Sequence, residues 1–312
     1  MAWRLYALDL SRLEGPAEGV EASPGVWDGT PGAQEGYLAS FYPLEEPWEA
    51  RRAHPLPWPE PLYFVDGRER AEAVLSDGRR LALLGCVAAG AVVYQRGNMR
   101  LLETRVRRVG VGLEEALRLG KLVYEPLPLE GPPNPGDVLT ALQEGLRKAR
   151  TLLEEQLAEA LAGGLLVVDG PVRLRRQGPV LGYIKTHWAR YLPEDREALL
   201  STLKPGERTP MFRVRRKGQE LASWYLRLPL PPEGVRPPES GLLRVETPLQ
   251  GDFGALADLS LSLFPALASH PVKDPRAPQN LLPVGGLERE LSRRMGSREV
   301  VGRLLARYLG GG

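Results

Sequence analysis

Apolar positions fall in short runs broken by Pro- and Gly-rich stretches, with one long exception in mid-chain. Residues 62–65 (Leu-Tyr-Phe-Val) read as a strand ending at Asp66-Gly67. LALLGCVAAGAVVY, from Leu81, reads as a buried, small-residue-rich strand, and MRLLETRVRRVGV, from Met99, alternates apolar and charged residues like a half-exposed strand. The Pro-rich EPLPLEGPPNPGD predicts a loop, after which Asp137 is placed to cap a helix over 138–162. There Leu139, Leu142, Leu146, Ala149, Leu153, Leu157 and Ala160 recur at three- and four-residue spacing and make one apolar stripe. Gly163-Gly164 ends it. A second short apolar run, 165–168, ends at Asp169-Gly170. Further strands are predicted over 180–184, 211–214, 223–230 and 241–249, a helix over 252–270, and one or two helices over 287–309. Strands come first, then a helix, then a central strand, which predicts a mixed α/β sheet rather than a doubly wound parallel one.

Residues 1–60 lack a sustained period and are rich in Pro, Gly and Trp. They are expected to form an irregular, extended segment that wraps the domain or reaches a dimer or other partner, leaving 61–312 as the main domain. No apolar run approaches the roughly 20 residues of a membrane helix, and the opening residues are interrupted by Arg4, Asp9 and Arg12, unlike a signal peptide; the cytoplasm is the expected compartment. The lone Cys86 excludes an internal disulfide or a zinc–cysteine cluster, and with only three histidines a metal must be held mainly by carboxylates, which suits Mg²⁺ or Mn²⁺. The net charge of +2 conceals basic clusters at Arg100/Arg105/Arg107/Arg108, Arg173/Arg175/Arg176 and Arg213/Arg215/Arg216/Lys217, each a candidate for phosphate backbones or simply a solvated face. No GxxxxGK[ST], GxSxG or HExxH is present, so neither P-loop ATP hydrolysis nor those hydrolase chemistries are expected.

The sharpest chemical signal is a repeated phrase. Tyr63-Phe64-Val65-Asp66-Gly67 and Leu166-Val167-Val168-Asp169-Gly170 each carry an apolar strand into Asp-Gly. If the two strands are neighbours, their carboxylates converge, and a divalent cation is the natural partner of two repelling acids. The competing reading is that each Asp-Gly merely starts a turn.

FVDG, the long helix, VVDGP, GYIKT, ERTPMFR, YLRL and the closing HPVKDPRAPQNLLPVGGLERELSRRMG, in that order from about residue 62 to 309, together resemble the NurA nuclease family. The resemblance implies an RNase H-like mixed sheet flanked by helices. It also implies a Mn²⁺-dependent single-strand endonuclease and 5′–3′ exonuclease that forms homodimers and works on DNA with the hexameric translocase HerA in end resection and double-strand break repair. By the same resemblance Asp66 and Asp169 match aspartates that hold metal, and His270 matches a C-terminal histidine that holds metal or contacts phosphate.

The family's metal-binding helix glutamate has no clear match. Setting Leu142 at zero and turning about 100° per residue, Glu144 and Glu155 fall near 200° and about 220°, away from the stripe, and Glu154 near 120°, on its edge. Glu154 is therefore preferred, with Glu144 and Glu155 open and Glu103 an outside candidate. Lys185, after a strand, is placed to neutralise a developing phosphorane, and Arg208, Thr209, Arg175 and Arg215 to hold backbone phosphate; exposed basic residues in such places are often only solvated. A non-catalytic DNA-binding or motor-docking subunit is the alternative function, sustained by the unplaced glutamate.

Overall fold

The computed structural model describes residues 3–6, 41–129, 131, 137–173, 178–185, 190–216, 218–230, 240–270 and 277–310. In chain order its strands are β1 (Arg4–Tyr6), β2 (Tyr42–Pro43), β3 (Leu62–Ser76), β4 (Leu81–Gln95), β5 (Asn98–Val111), β6 (Leu117–Leu119), β7 (Leu122–Leu127), β8 (Leu165–Asp169), β9 (Val180–Ile184), β10 (Phe212–Arg216), β11 (Gln219–Arg227) and β12 (Leu242–Pro248). The helices are α1 (Val138–Ala160), α2 (Glu194–Thr202), α3 (Phe253–Leu267), α4 (Leu282–Met295) and α5 (Arg298–Leu309). None is long and apolar enough to cross a membrane.

The strands form one mixed sheet in the order β2-β10-β11-β12-β9-β8-β3-β4-β5-β7-β6, with β1 added beside β3. β3, β4 and β5 are an antiparallel meander, whereas β8 and β9 run parallel to β3. This is the mixed sheet flanked by helices that the sequence predicts.

Each face of the sheet carries its own core. Leu142, Leu146, Leu153 and Leu157 of α1 pack on one face with Val65, Leu83, Val87 and Leu166. On the other, Phe264 of α3 and Leu287, Leu291 and Met295 of α4 pack with Leu62, Phe64, Cys86, Ala88 and Trp224. Covering on both sides explains why β4 is an unbroken apolar run rather than an alternating one. Its small residues let helices come close. A Cβ on Gly85 would stand 2.5 Å from Leu146 Cδ1, and one on Gly90 2.6 Å from Leu287 Cδ1. Each of the large buried side chains contributes roughly 1.5–3 kcal/mol of burial.

Several elements lie outside the sequence reading: β1, β2, β6, β7 and α2 are too short or too polar to give a periodic signal, and α4 begins five residues earlier than predicted. Residues 41–60 wrap the sheet. Leu44 N donates to Met211 O, Trp48 Nε1 donates to Arg196 O, and Phe41 and Trp48 meet Phe212 ring to ring.

Candidate functional site

β3 and β8 pair in parallel up to Val65↔Val168, so the next residue on each strand, Asp66 and Asp169, stands at the same level in the sheet. Side chains alternate across a sheet. Leu62 and Phe64 face the α3/α4 side, as do Leu165 and Val167, so Asp66 and Asp169 face that side too. The two phrases nevertheless differ. Gly170 has φ +101° and begins a turn, its N–H donating to Tyr183 O at 2.9 Å. Asp66-Gly67, expected to end a strand, instead lies inside one: β3 continues to Ser76, with Gly67 opposite Ala89.

Gly67 has a different purpose. The carboxylate of Glu154 lies over it from α1, and a Cβ at Gly67 would overlap Glu154 Oε1. Leu153 and Leu157 bury α1 on either side of Glu154 and fix its height above the strand. Arg150, one helical turn earlier, forms an ion pair with Glu154 and donates from Nε to Glu69 Oε2 at 3.1 Å.

On the opposite face Lys185, just past β9, donates from Nζ to Asp169 Oδ2 at 2.6 Å and to Asn280 Oδ1 at 3.3 Å. Asn280 Nδ2 in turn donates to Glu288 Oε2 of α4 at 3.4 Å. Glu288 occupies a position in the buried stripe Val284, Leu287, Leu291, Met295, although it is charged. α4 is held at its far end by cations on its C-terminal carbonyls: Arg70 donates to Met295 O and Gly296 O, and Arg108 to Met295 O. Both arginines also pair with buried Glu72, which accepts from Tyr124 OH at 2.6 Å.

Burial, then the Asp169, Glu288 and Glu154 carboxylates, push the Asp66 carboxyl well above its usual range, against the Lys185 ammonium. Burial likewise raises Glu154, opposed by Arg150. Lys185 is raised although burial works against it, because Asp169 attracts its proton. Burial, then the Asp169, Asp66 and Glu288 carboxylates, raise the Tyr183 phenol.

Asp66 Oδ2 is buried and has no hydrogen-bond partner among the described residues. An orphaned carboxylate oxygen beside other acids is expensive to bury and calls for a cation. The donors are all hard oxygens, the set that Mg²⁺ or Mn²⁺ takes. Among the described residues no three His, Cys, Asp or Glu side chains yet stand at metal-cage spacing. The oxygens are set for ammonium and guanidinium partners, whose contacts are longer than the roughly 2.1 Å of a Mg²⁺–oxygen bond. By donor chemistry a divalent ion suits Asp66 and Asp169, side by side on one face, and Glu154, which reaches over Gly67 from the other.

Residues 60–284 match the NurA domain family. The chain belongs to the NurA domain family. A crystal structure of the NurA nuclease from Sulfolobus solfataricus shares its fold, with a TM-score of 0.52 and 12% identity over 89% of each chain. No curated protein matches the chain.

Within and around this NurA domain, the structure brings together Asp66, Asp169, Glu154 and Lys185. It leaves Glu144 exposed on α1, Glu155 without a place beside the aspartates, and Glu103 exposed in an ion pair with Arg105. His270 stands exposed beyond α3. Arg208 and Thr209 are used otherwise than expected. The Arg208 guanidinium is buried and pairs with Glu45 at 2.7 Å and Asp258 at 2.8 Å, and Thr209 Oγ1 accepts from Tyr225 N at 3.0 Å. Both are committed to the interior and do not face a nucleic-acid backbone. Arg216, one of a predicted basic patch, is likewise buried against Glu246. Arg215 is exposed beside Glu220, and Arg175 lies outside the described residues. Glu288, Asn280, Arg150 and Tyr183 also lie at or beside the site, although none is marked by a sequence motif. The available signal for Glu288 was a charge on the apolar face of a helix, where a solvated residue does not belong.

Proposed function

We propose that this chain is a divalent-metal-dependent DNA nuclease whose reacting centre is the carboxylate cluster where the parallel pairing of β3 and β8 ends. The observation that carries the proposal is the buried, unpartnered Asp66 Oδ2 beside Asp169, with Glu154 reaching over Gly67. Asp66, Asp169 and Glu154 would hold Mn²⁺ or Mg²⁺. A cation so held polarises a phosphodiester and makes water a better nucleophile at neutral pH.

The chain's own residues do the rest. β3 and β8 fix the two aspartates rigidly, because both strands are buried on each face. Arg150 keeps the Glu154 carboxylate turned toward Gly67 and balances its charge. Lys185 is the cation nearest Asp169 and can meet the negative charge of a bound phosphate. Exposed Arg173 would supply positive potential on the α1 side of the site, where a DNA backbone would run.

Membership of the NurA domain family supports the nuclease reading. The finer form proposed here is a homodimer with single-strand endonuclease and 5′–3′ exonuclease activity, cooperating with a HerA-type hexameric translocase at DNA ends during break repair. His270 would assist with metal or phosphate, and Arg175 and Arg215 with the backbone. The test is cleavage of single-stranded DNA with Mn²⁺, Mg²⁺ or EDTA by the wild type and Asp169→Asn. Metal-dependent cutting lost in the variant supports the proposal. No cutting by folded wild type, with or without the translocase, would instead make the chain a DNA-binding or motor-docking subunit.

A further inference from the structure

The carboxylate cluster has two sides. Glu154 closes it from α1, whereas Asp66 and Asp169 themselves face α4, where a second set of oxygens waits. Asp169 Oδ2 and Asn280 Oδ1 both accept from the Lys185 ammonium, and Asn280 ties Glu288 into the same group. None of these groups sits there by default. Asn280 is fully buried, and Glu288 is a charge placed in the apolar stripe of α4. Glu288 also lies beyond the stretch 60–284 that matches the family.

A lysine ammonium surrounded by carboxylate and amide oxygens is a cation in a cation site. Its Nζ–oxygen distances of 2.6 and 3.3 Å are those of hydrogen bonds, and its flexible four-carbon stem lets the ammonium swing away from these oxygens. The buried, unpartnered Asp66 Oδ2 lies on this same face and is not satisfied by the lysine.

We propose that Lys185 is an intramolecular competitor for metal. Its ammonium occupies a divalent-cation position formed by Asp66, Asp169, Asn280 and Glu288, and an ion enters there by displacing it. The inference rests on the metal-dependent reading above and adds to it a second flank of ligands and a resident competitor. Before metal arrives, Lys185 neutralises Asp169 and keeps the metal-free site folded. Once displaced, it is the cation best placed to follow a DNA phosphate into the site. Glu288, contributed by α4, makes the position of that helix part of the metal site.

Direct binding of Mn²⁺, measured by calorimetry and by the electron paramagnetic resonance signal of free Mn²⁺ without DNA, tests this. The samples are full-length wild type, Lys185→Met, Lys185→Arg, Glu288→Gln and the Lys185→Met/Glu288→Gln double variant. Removing one positive charge a few ångströms from a dication predicts at least about tenfold tighter Mn²⁺ binding, or an added ion, in Lys185→Met. Lys185→Arg should keep the wild-type affinity, and the gain should vanish in the double variant. Circular dichroism verifies folding, with Lys185→Gln replacing Lys185→Met if the latter does not fold. Wild type that binds Mn²⁺ while Lys185→Met shows the same affinity and stoichiometry overturns the inference and leaves the metal-dependent reading intact. A gain that survives Glu288→Gln also overturns it. Absence of Mn²⁺ binding in wild type and every variant overturns both.

Discussion

Glu154 of α1 rests its carboxylate against Gly67 of β3, one residue past Asp66, where any side chain would overlap it. Gly67 is not a positive-φ residue, so the glycine is required by the neighbour and not by the backbone. Alanine at Gly67 should therefore leave the strand folded while pushing Glu154 off the site. Gly67→Ala is expected to melt close to wild type and to bind Mn²⁺ about 10–100-fold more weakly, as when a supporting contact of a metal ligand is lost. Parallel melting and Mn²⁺ titrations check this; unchanged affinity would remove Glu154 from the ligand set.

Glu246 is fully buried between Arg216 and Arg244, each at 2.7 Å, and accepts from Val172 N at 2.8 Å, just past the turn that Asp169 enters. Glu246→Ala would leave buried arginines without their shared carboxylate. It should cost about 3–5 kcal/mol in urea unfolding. Glu246→Gln, which keeps an acceptor oxygen, should cost less.

Arg208 and Arg215 should behave oppositely although the sequence suggested one role for both. Arg208 is 4% exposed and tied to Glu45 and Asp258, so Arg208→Ala should lower stability by about 3–5 kcal/mol. Arg215 is 67% exposed, so Arg215→Ala should change stability by no more than about 0.5 kcal/mol and weaken DNA binding in a salt-dependent way. Denaturation paired with DNA titrations at two salt concentrations distinguishes them.

Burial works against the Glu45 carboxylate, but Arg208 and the Met211 N–H outweigh it and hold its pKa below the ordinary 4.5. A group with a depressed folded pKa contributes stability that is present above its unfolded value and lost as pH falls through the folded one. The tether of residues 41–60 should therefore be intact above pH 4.5 and loosen below it. Stability measured from neutral to acidic pH should fall less steeply for Glu45→Gln than for wild type over that acid limb; identical slopes would contradict the assignment.

Asp66 and Asp169 were legible because apolar runs ending in the same dipeptide are a local signal, and their convergence followed from one assumption, that the strands are neighbours. The long stripe of α1 was legible because seven apolar residues keep helical spacing. What could not be read was long-range. Nothing in the sequence near Gly67 says that a glutamate 87 residues later lies over it. Arg208 and Arg216 look like surface cations until Glu45, Asp258 and Glu246, from distant segments, are seen to neutralise them. Glu288 was hidden by its company, since a helix reading LERELSRR presents mostly solvated charges.

Asp66 Oδ2 is buried without a hydrogen-bond partner among the described residues, and on the proposed metal-dependent function a divalent cation satisfies it. Thermal melting of the wild type and Asp66→Asn, each with EDTA and with Mn²⁺, tests it most directly. Asp66→Asn removes a buried carboxyl crowded by other acids, which should raise the melting temperature in EDTA, while Mn²⁺ should stabilise the wild type and leave the variant unmoved. Equal stabilisation of both proteins by Mn²⁺, with no gain for the variant in EDTA, would contradict the account.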